Sequence, residues 1–186
     1  MARVHGSIAE RGVSSAARRV AEPLVLWSAG AFGVYMLGAW AGGVAAWALP
    51  GAQLNPTNNI GSAVEIFLHN LVVLALISAG SATLGMTTAG ALFLNGGVLG
   101  FVGTELVERH QMSMFMTAVA PQLALEVGAY VIAAGATLRL GWSIWWPLVS
   151  RRKGGRLQWK QWLVAETTAI LMLWGGAVME ATFSHV

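Results

Sequence analysis

Two long stretches without a charged side chain constrain this chain more than any other feature of its sequence. Residues 23–64 carry no Asp, Glu, Lys or Arg, and residues 66–104 carry none either, with His69 as the single ionisable group there. A helix that crosses a bilayer needs about 20 mostly apolar residues. Only 10% of the 186 residues are charged, whereas a soluble domain carries about 25%. An ordinary water-soluble fold is therefore excluded.

Hydropathy and turn-forming residues divide the chain into five predicted spans. Pro50-Gly51 ends the first span, and the small-residue tract 80–88 separates the second from the third. We therefore predict an all-α fold, a polytopic transmembrane helical bundle with spans at about 23–49, 61–79, 85–104, 115–146 and 161–181. Residues 1–22 are predicted to form a basic N-terminal segment. Residues 23–186 form one transmembrane domain, with a basic loop at 147–160.

The distribution of Lys and Arg predicts the orientation. Ten of the eleven basic residues lie in the N-terminal segment or in and near the 147–160 loop, with Arg109 as the exception. Five spans place these two segments on one side of the membrane, and basic loops usually face the cytoplasm. We expect a cytoplasmic N-terminus, an external C-terminus and a location in the inner or plasma membrane. The basic residues then face anionic lipid, so no nucleic-acid partner is predicted.

Two pairs of glycines are spaced four residues apart inside the predicted spans. Gly38 and Gly42 lie in the first span, and Gly96 and Gly100 lie in the third. This GxxxG spacing allows the backbones of two membrane helices to approach closely. We predict that these glycines pack helices within the bundle. A docking face for a partner is the alternative.

Several polar residues fall inside the spans at similar depths. They are Glu65, His69, Asn70, Asn95, Gln122, Glu126 and Glu180. All lie within roughly 15 Å of the predicted outer boundary, at about 1.5 Å per helical residue. Three interpretations stay open: hydrogen bonds between helices, a polar path for a proton, ion or solute, and acid–base chemistry. The candidate catalytic groups for the last are His69, Glu65 and Glu126.

Other kinds of chemistry have little support in the sequence. No HExxH or ExxH spacing occurs and the chain has no Cys, so no metal site is predicted. No dinucleotide or phosphate-binding motif occurs, and no cofactor is predicted. Glu166, near the inner end of the fifth span, is interpreted as an ion-pair partner of Arg139 or of the basic loop.

Four short motifs follow one another along the predicted spans. They are Phe67-Leu68-His69-Asn70-Leu71, Asn95-Gly96 with Gly100, Pro121-Gln122-Leu123-Ala124-Leu125-Glu126, and Glu180-Ala181-Thr182-Phe183. In order, spacing and span layout, the chain resembles the stage II sporulation protein M family over about residues 58–184. That family's pattern has Asn-Asn in the second span, Asn-Gly in the third, Pro-His-Gly followed by Glu in the fourth, and Glu-Ala-Phe near the end.

The chain departs from this pattern at two places. His69-Asn70 stands where the family has Asn-Asn, and Pro121-Gln122-Leu123 stands where it has Pro-His-Gly. A role of the family's histidine therefore does not transfer to Gln122. The resemblance implies polar intramembrane or interaction positions at Asn70, Asn95, Pro121, Glu126 and Glu180.

The resemblance implies a membrane subunit and not a free enzyme. Sporulation members act with partner cell-wall hydrolases as anchor and scaffold, and related proteins occur in gene clusters for circular and other ribosomally made peptides. We expect a lipid-embedded scaffold or co-catalytic subunit of a heteromeric complex that works on a peptide or cell-wall substrate. The alternatives are a subunit of an enzyme that modifies ribosomal peptides through intramembrane His and Glu groups, and a small transporter or immunity protein for such a peptide.

Overall fold

The computed structural model describes the backbone of residues 6–48, 62–150 and 158–183, and their side chains except at 6–23, 114, 118 and 183. Within these ranges the chain forms helices and turns and no strand. Most of the basic residues that predict the orientation lie outside the described side chains, as does half of the 147–160 loop, residues 151–157. The orientation therefore stays a prediction.

Six helices follow one another along the described residues. They are α1 (Gly6–Ala48), α2 (Ala63–Ser78), α3 (Met86–Glu108), α4 (Met112–Ala118), α5 (Ala120–Ser150) and α6 (Trp159–Phe183), with a 3₁₀ turn at Ala79–Ser81. Five apolar segments are long enough to cross a bilayer: Leu24–Ala48, Ala63–Ser81, Met86–Glu108, Ala120–Ser150 and Trp159–Thr182. The predicted five-span helical fold is confirmed.

The helix boundaries differ most from the predicted spans at two places. α1 begins at Gly6, so much of the predicted N-terminal segment is helical. The predicted fourth span started at 115, whereas the structure has a short α4 and then α5 from Ala120. Pro121 explains the break, because proline has no N–H to donate and its ring clashes with the carbonyl four residues earlier in a continuous helix. In the first turn of α5 neither cost arises.

Local sequence signals fix the ends of α2 and α3. Ser62 and Glu65 form a capping box at the start of α2, in which Ser62 N donates to Glu65 Oε2 at 2.7 Å and Glu65 N donates to Ser62 Oγ at 3.3 Å. At the start of α3 the backbone of Gly85 has φ of 86°, which favours glycine. A hydrogen bond links the first turn of α3 to the end of α2: Thr88 Oγ1 donates to Ile77 O at 2.6 Å.

The helices pack closely because small residues line their contacts. α1 packs mainly on α3 and α5, α5 packs mainly on α6, and α2 contacts α3, α5 and α6. The fully buried core includes Ala129, Ala133, Ala134, Ala169 and Ala177. Hydrophobic burial does not drive helix association inside lipid, so close van der Waals contact of this kind is needed.

The glycines at GxxxG spacing all lie between α1 and α3. A Cβ on Gly38 would collide with the carbonyl of Phe93, and a Cβ on Gly42 would collide with that of Gly97. From the other helix, a Cβ on Gly96 would collide with Tyr35 O. A Cβ on Gly100 would likewise collide with Ala39 O. In this structure both glycine pairs therefore serve packing inside the chain.

Candidate functional site

A partly buried carboxylate–amide pair joins α2 to α5. Asn70 Nδ2 donates to Glu126 Oε1 at 2.7 Å, and Asn70 is 7% exposed. Both residues belong to the motifs that carry the family resemblance. Glu126 lies six residues into α5, about 9 Å from the start of that helix. A carboxylate at this depth needs polar partners, and Asn70 supplies one.

Further polar side chains from three helices surround this pair. The Glu126 carboxylate interacts electrostatically with Glu180 of α6 and with the hydroxyls of Tyr35 and Tyr130. Gln122 lies one turn before Glu126 on the same face of α5 and is 7% exposed. We call the six residues the Glu126 cluster: Tyr35, Asn70, Gln122, Glu126, Tyr130 and Glu180.

The structure brings together four of the residues that the sequence marked, namely Asn70, Gln122, Glu126 and Glu180. It adds Tyr35 and Tyr130, which the sequence did not indicate as site residues. Tyr130 follows Glu126 by four residues, so its i, i+4 spacing is the signal that would have found it. Tyr35 lies on α1, and no spacing along the chain relates it to α5.

Glu65 and His69 lie outside the cluster. Both are exposed, and the Glu65 carboxylate accepts from Ser62 in the capping box. Among the described residues, no hydrogen bond joins His69 to Glu65 or to Glu126. The paired geometry that acid–base chemistry by His69 with either Glu requires is therefore not formed in this structure.

Asn95 and Pro121 also have local roles. Asn95 Nδ2 donates to Ala91 O at 2.9 Å, within its own helix. Pro121 is exposed in the first turn of α5, where it ends the preceding helical segment.

A second carboxylate, that of Glu166, is buried nearer the opposite end of the bundle. Glu166 Oε1 of α6 accepts from Ser78 Oγ at 2.7 Å and from Thr137 Oγ1 at 3.2 Å. Trp162 Nε1 in turn donates to Thr137 Oγ1 at 3.2 Å. We call these four residues the Glu166 cluster. The ion-pair interpretation of Glu166 did not anticipate these hydroxyl donors, which link α2, α5 and α6 by neutral groups.

An apolar layer separates the two clusters. Glu126 and Thr137 are eleven residues apart on α5, about 16 Å along the axis. Between these levels lie Leu74, Ile77, Ala133, Ala169 and Leu173, each at most 2% exposed. Through the described residues, therefore, no continuous polar path crosses the bundle along α2, α5 and α6.

The described residues were also compared with the side-chain groupings that hold metal ions. In residues 6–48, 62–150 and 158–183, no group of three or more His, Cys, Asp or Glu side chains is placed to hold a metal ion.

The apolar helices and the buried polar groups together define a multi-pass helical membrane protein. A family model described as stage II sporulation protein M matches residues 31–185, and the chain belongs to that family. The predicted family resemblance is confirmed. No curated protein and no solved structure matches the chain.

Proposed function

We propose that this protein is a subunit of a heteromeric complex in the inner or plasma membrane. In that complex it acts as scaffold or co-catalytic partner for a protein that works on a peptide or cell-wall substrate. The observation that carries the proposal is the position of His69, which lies on the outward face of α2 among apolar side chains.

His69 lies well inside the membrane span. It follows Ala63 by six residues, about 9 Å along a span of Ala63–Ser81. Its neighbours on the exposed face include Leu68, Val72 and Leu76, which are 53%, 62% and 51% exposed. Ionisable residues at such depth nearly always face protein or a water-filled cavity. Coverage of this face by another membrane helix would supply the missing contact.

The partner needs a polar side chain at the depth of His69. A neutral imidazole both donates and accepts hydrogen bonds, so a carboxylate, an amide or a hydroxyl of the partner would suit it. A hydrogen bond of this kind in lipid contributes roughly 1 kcal/mol. That corresponds to about a fivefold change in the association constant.

The structure gives the alternative functions less support. A peptide-modifying role by His69 with a Glu lacks the paired geometry, because Glu65 is engaged in the cap of α2. A transport path along α2, α5 and α6 meets the apolar layer between the two clusters. Neither observation contradicts a co-catalytic role in which a partner supplies the reacting groups.

Site-specific photo-crosslinking in native membranes tests the proposal. A photoreactive residue replaces Leu68 or Val72 on α2, and matched controls replace Leu94 or Val98 on α3, which are 68% and 57% exposed. We expect a distinct protein to crosslink to the α2 positions and not to the α3 positions. His69→Leu should reduce the recovery of the crosslinked partner protein about fivefold.

Two results would contradict the proposal. One is crosslinking to lipid alone at both helices. The other is crosslinking of α2 to a second copy of the same chain, which would indicate a homo-oligomer in place of a heteromeric complex.

A further inference from the structure

Four tryptophans form walls of a cavity between α1, α5 and the turn that joins α2 to α3. The cavity has a volume of about 320 Å³, which lies within the range of about 300–1,000 Å³ for pockets that hold small ligands. We call this cavity the tryptophan pocket. Its lining includes Trp27, Leu84, Trp142, Trp145, Trp146 and Val149.

The walls of the tryptophan pocket hold one another in place. Trp145 Nε1 donates to Ser81 O at 3.0 Å, which fixes this ring against the turn after α2. The rings of Trp142 and Trp146 stack with centroids 4.7 Å apart, and the ring centroid of Trp27 lies 6.0 Å from that of Trp142. Little ordering of side chains therefore accompanies binding, which favours affinity.

The tryptophan pocket is apolar and opens toward the bilayer. Leu84, Trp142, Trp146 and Val149 line it and are all exposed. Water needs two to four polar partners in a cavity, and empty space forfeits dispersion contacts. A membrane helix with its side chains is about 10–12 Å across and is too wide to enter a cavity of this volume. An acyl chain of a lipid is apolar and narrow, so it suits the pocket.

The depth of the tryptophan pocket is that of the membrane interface. Trp27 follows Leu24, the first residue of its span, by three residues, and Trp145 precedes Ser150, the last residue of its span, by five. These separations are about 4.5 and 7.5 Å along the helix axes. Tryptophan is enriched at this depth, where lipid headgroups meet the acyl chains. A lipid chain in the pocket therefore places its headgroup near the ends of the two spans.

Positive charge flanks the same ends of these two spans in the sequence. Residues 18–23 precede the first span, and residues 151–153 follow the fourth. Together they hold five basic side chains, and Glu22 is the one acidic residue among them. Basic clusters beside membrane spans attract the headgroups of anionic lipids. The charge therefore selects among the lipids whose chains the pocket could hold.

We propose that the tryptophan pocket binds one anionic phospholipid. One acyl chain fills the pocket, and the phosphate lies at the level of the basic residues that flank the two spans. The aromatic walls recognise the hydrocarbon chain, and the positive charge recognises the headgroup. This site is separate from the face of α2 that carries His69.

Native mass spectrometry of the purified full-length protein in mild detergent tests this inference. Phosphatidylglycerol, phosphatidylethanolamine and phosphatidylcholine with identical acyl chains are titrated separately, and the apparent dissociation constant of the first bound lipid is measured. We expect phosphatidylglycerol to bind at least about tenfold more tightly than phosphatidylcholine. The reason is that each basic residue at the membrane surface strengthens the attraction to anionic lipid about fivefold.

Two variants test the pocket itself. Val149→Trp places a large ring in the lining, so it should weaken binding of phosphatidylglycerol at least about tenfold. Trp146→Ala removes one wall and should weaken binding severalfold. Both positions are exposed, so neither change disturbs the core. Trp159→Ala is the matched control, because Trp159 is 50% exposed, close to the 44% of Trp146, and lies outside the lining.

A charge variant separates recognition of the headgroup from recognition of the chain. Arg151→Gln with Arg152→Gln should lower the preference for phosphatidylglycerol over phosphatidylcholine at least about fivefold. The affinity for phosphatidylcholine should not change. Arg109→Gln is the control, since Arg109 follows the end of α3 that lies away from the pocket, and it should alter neither affinity.

Four outcomes would overturn the inference. They are equal affinity for phosphatidylglycerol and phosphatidylcholine, equal effects of Trp146→Ala and Trp159→Ala, lipid binding that Val149→Trp leaves unchanged, and a dimer of this chain that Val149→Trp dissociates. The measurements use the isolated protein, so their failure leaves the proposed docking role of His69 untouched.

Discussion

Replacing Gly100 by Ala probes the close contact between α1 and α3. A Cβ at this position would overlap the carbonyl oxygen of Ala39 and would lie 2.6 Å from its carbonyl carbon and 2.9 Å from its Cα. These are backbone atoms, so no side-chain rotation relieves the overlap. Ordinary carbon contacts are 3.5–4.0 Å long, so the two helices must separate by about 1 Å.

The expected cost follows from that separation. One van der Waals contact between two atoms contributes roughly 0.1–0.2 kcal/mol, and a gap of this size removes up to about half of that energy. Over roughly 40 atom pairs along the helix contact, the loss is about 3 kcal/mol. This agrees with the 1–3 kcal/mol typical of an overpacked core, and hydrophobic burial offers no compensation inside lipid.

Gly103 provides a matched control on the same helix. A Cβ there would meet no other atom within 4 Å. Gly103→Ala should therefore leave stability unchanged or raise it by roughly 0.5–1 kcal/mol, because alanine favours the helix. Unfolding in a denaturing detergent, monitored by circular dichroism, should give free energies of unfolding for the two variants that differ by about 3 kcal/mol. Equal stabilities would refute the packing argument.

Two further substitutions test the Glu166 cluster and the turn before α3. Thr137→Val removes a hydrogen-bond donor to Glu166 and should lower the free energy of unfolding by about 1 kcal/mol. Thr168→Val is the control, because Thr168 is exposed and its hydroxyl bonds only within its own helix; it should change the free energy of unfolding by about a few tenths of a kcal/mol. Leu84 has φ of 53°, so Leu84→Gly should raise stability by about 1 kcal/mol, whereas Leu94→Gly in the middle of α3 should lower it by about as much. The same detergent titration measures all four variants, and a sign opposite to that expected at Leu84 would contradict the strain argument.

The family motifs of this chain meet in space although they lie far apart in sequence. Asn70, Glu126 and Glu180 come from three different helices, and Glu126 interacts with each of the other two. Their similar depth could be counted from the sequence, because the rise per helical residue is constant. Asn95 has a similar depth and bonds within its own helix, so depth alone does not select the members of the cluster.

The sequence by itself determined the spans, because insertion into lipid depends on the apolar content of each segment and not on its neighbours. It also marked the glycines that let α1 and α3 approach. It did not determine which way each helix faces. His69 and Asn70 are adjacent, yet His69 points outward and Asn70 is 7% exposed and bonded to Glu126. One residue turns a helix by about 100°, and only the packing of five spans decides which of two polar neighbours enters the core.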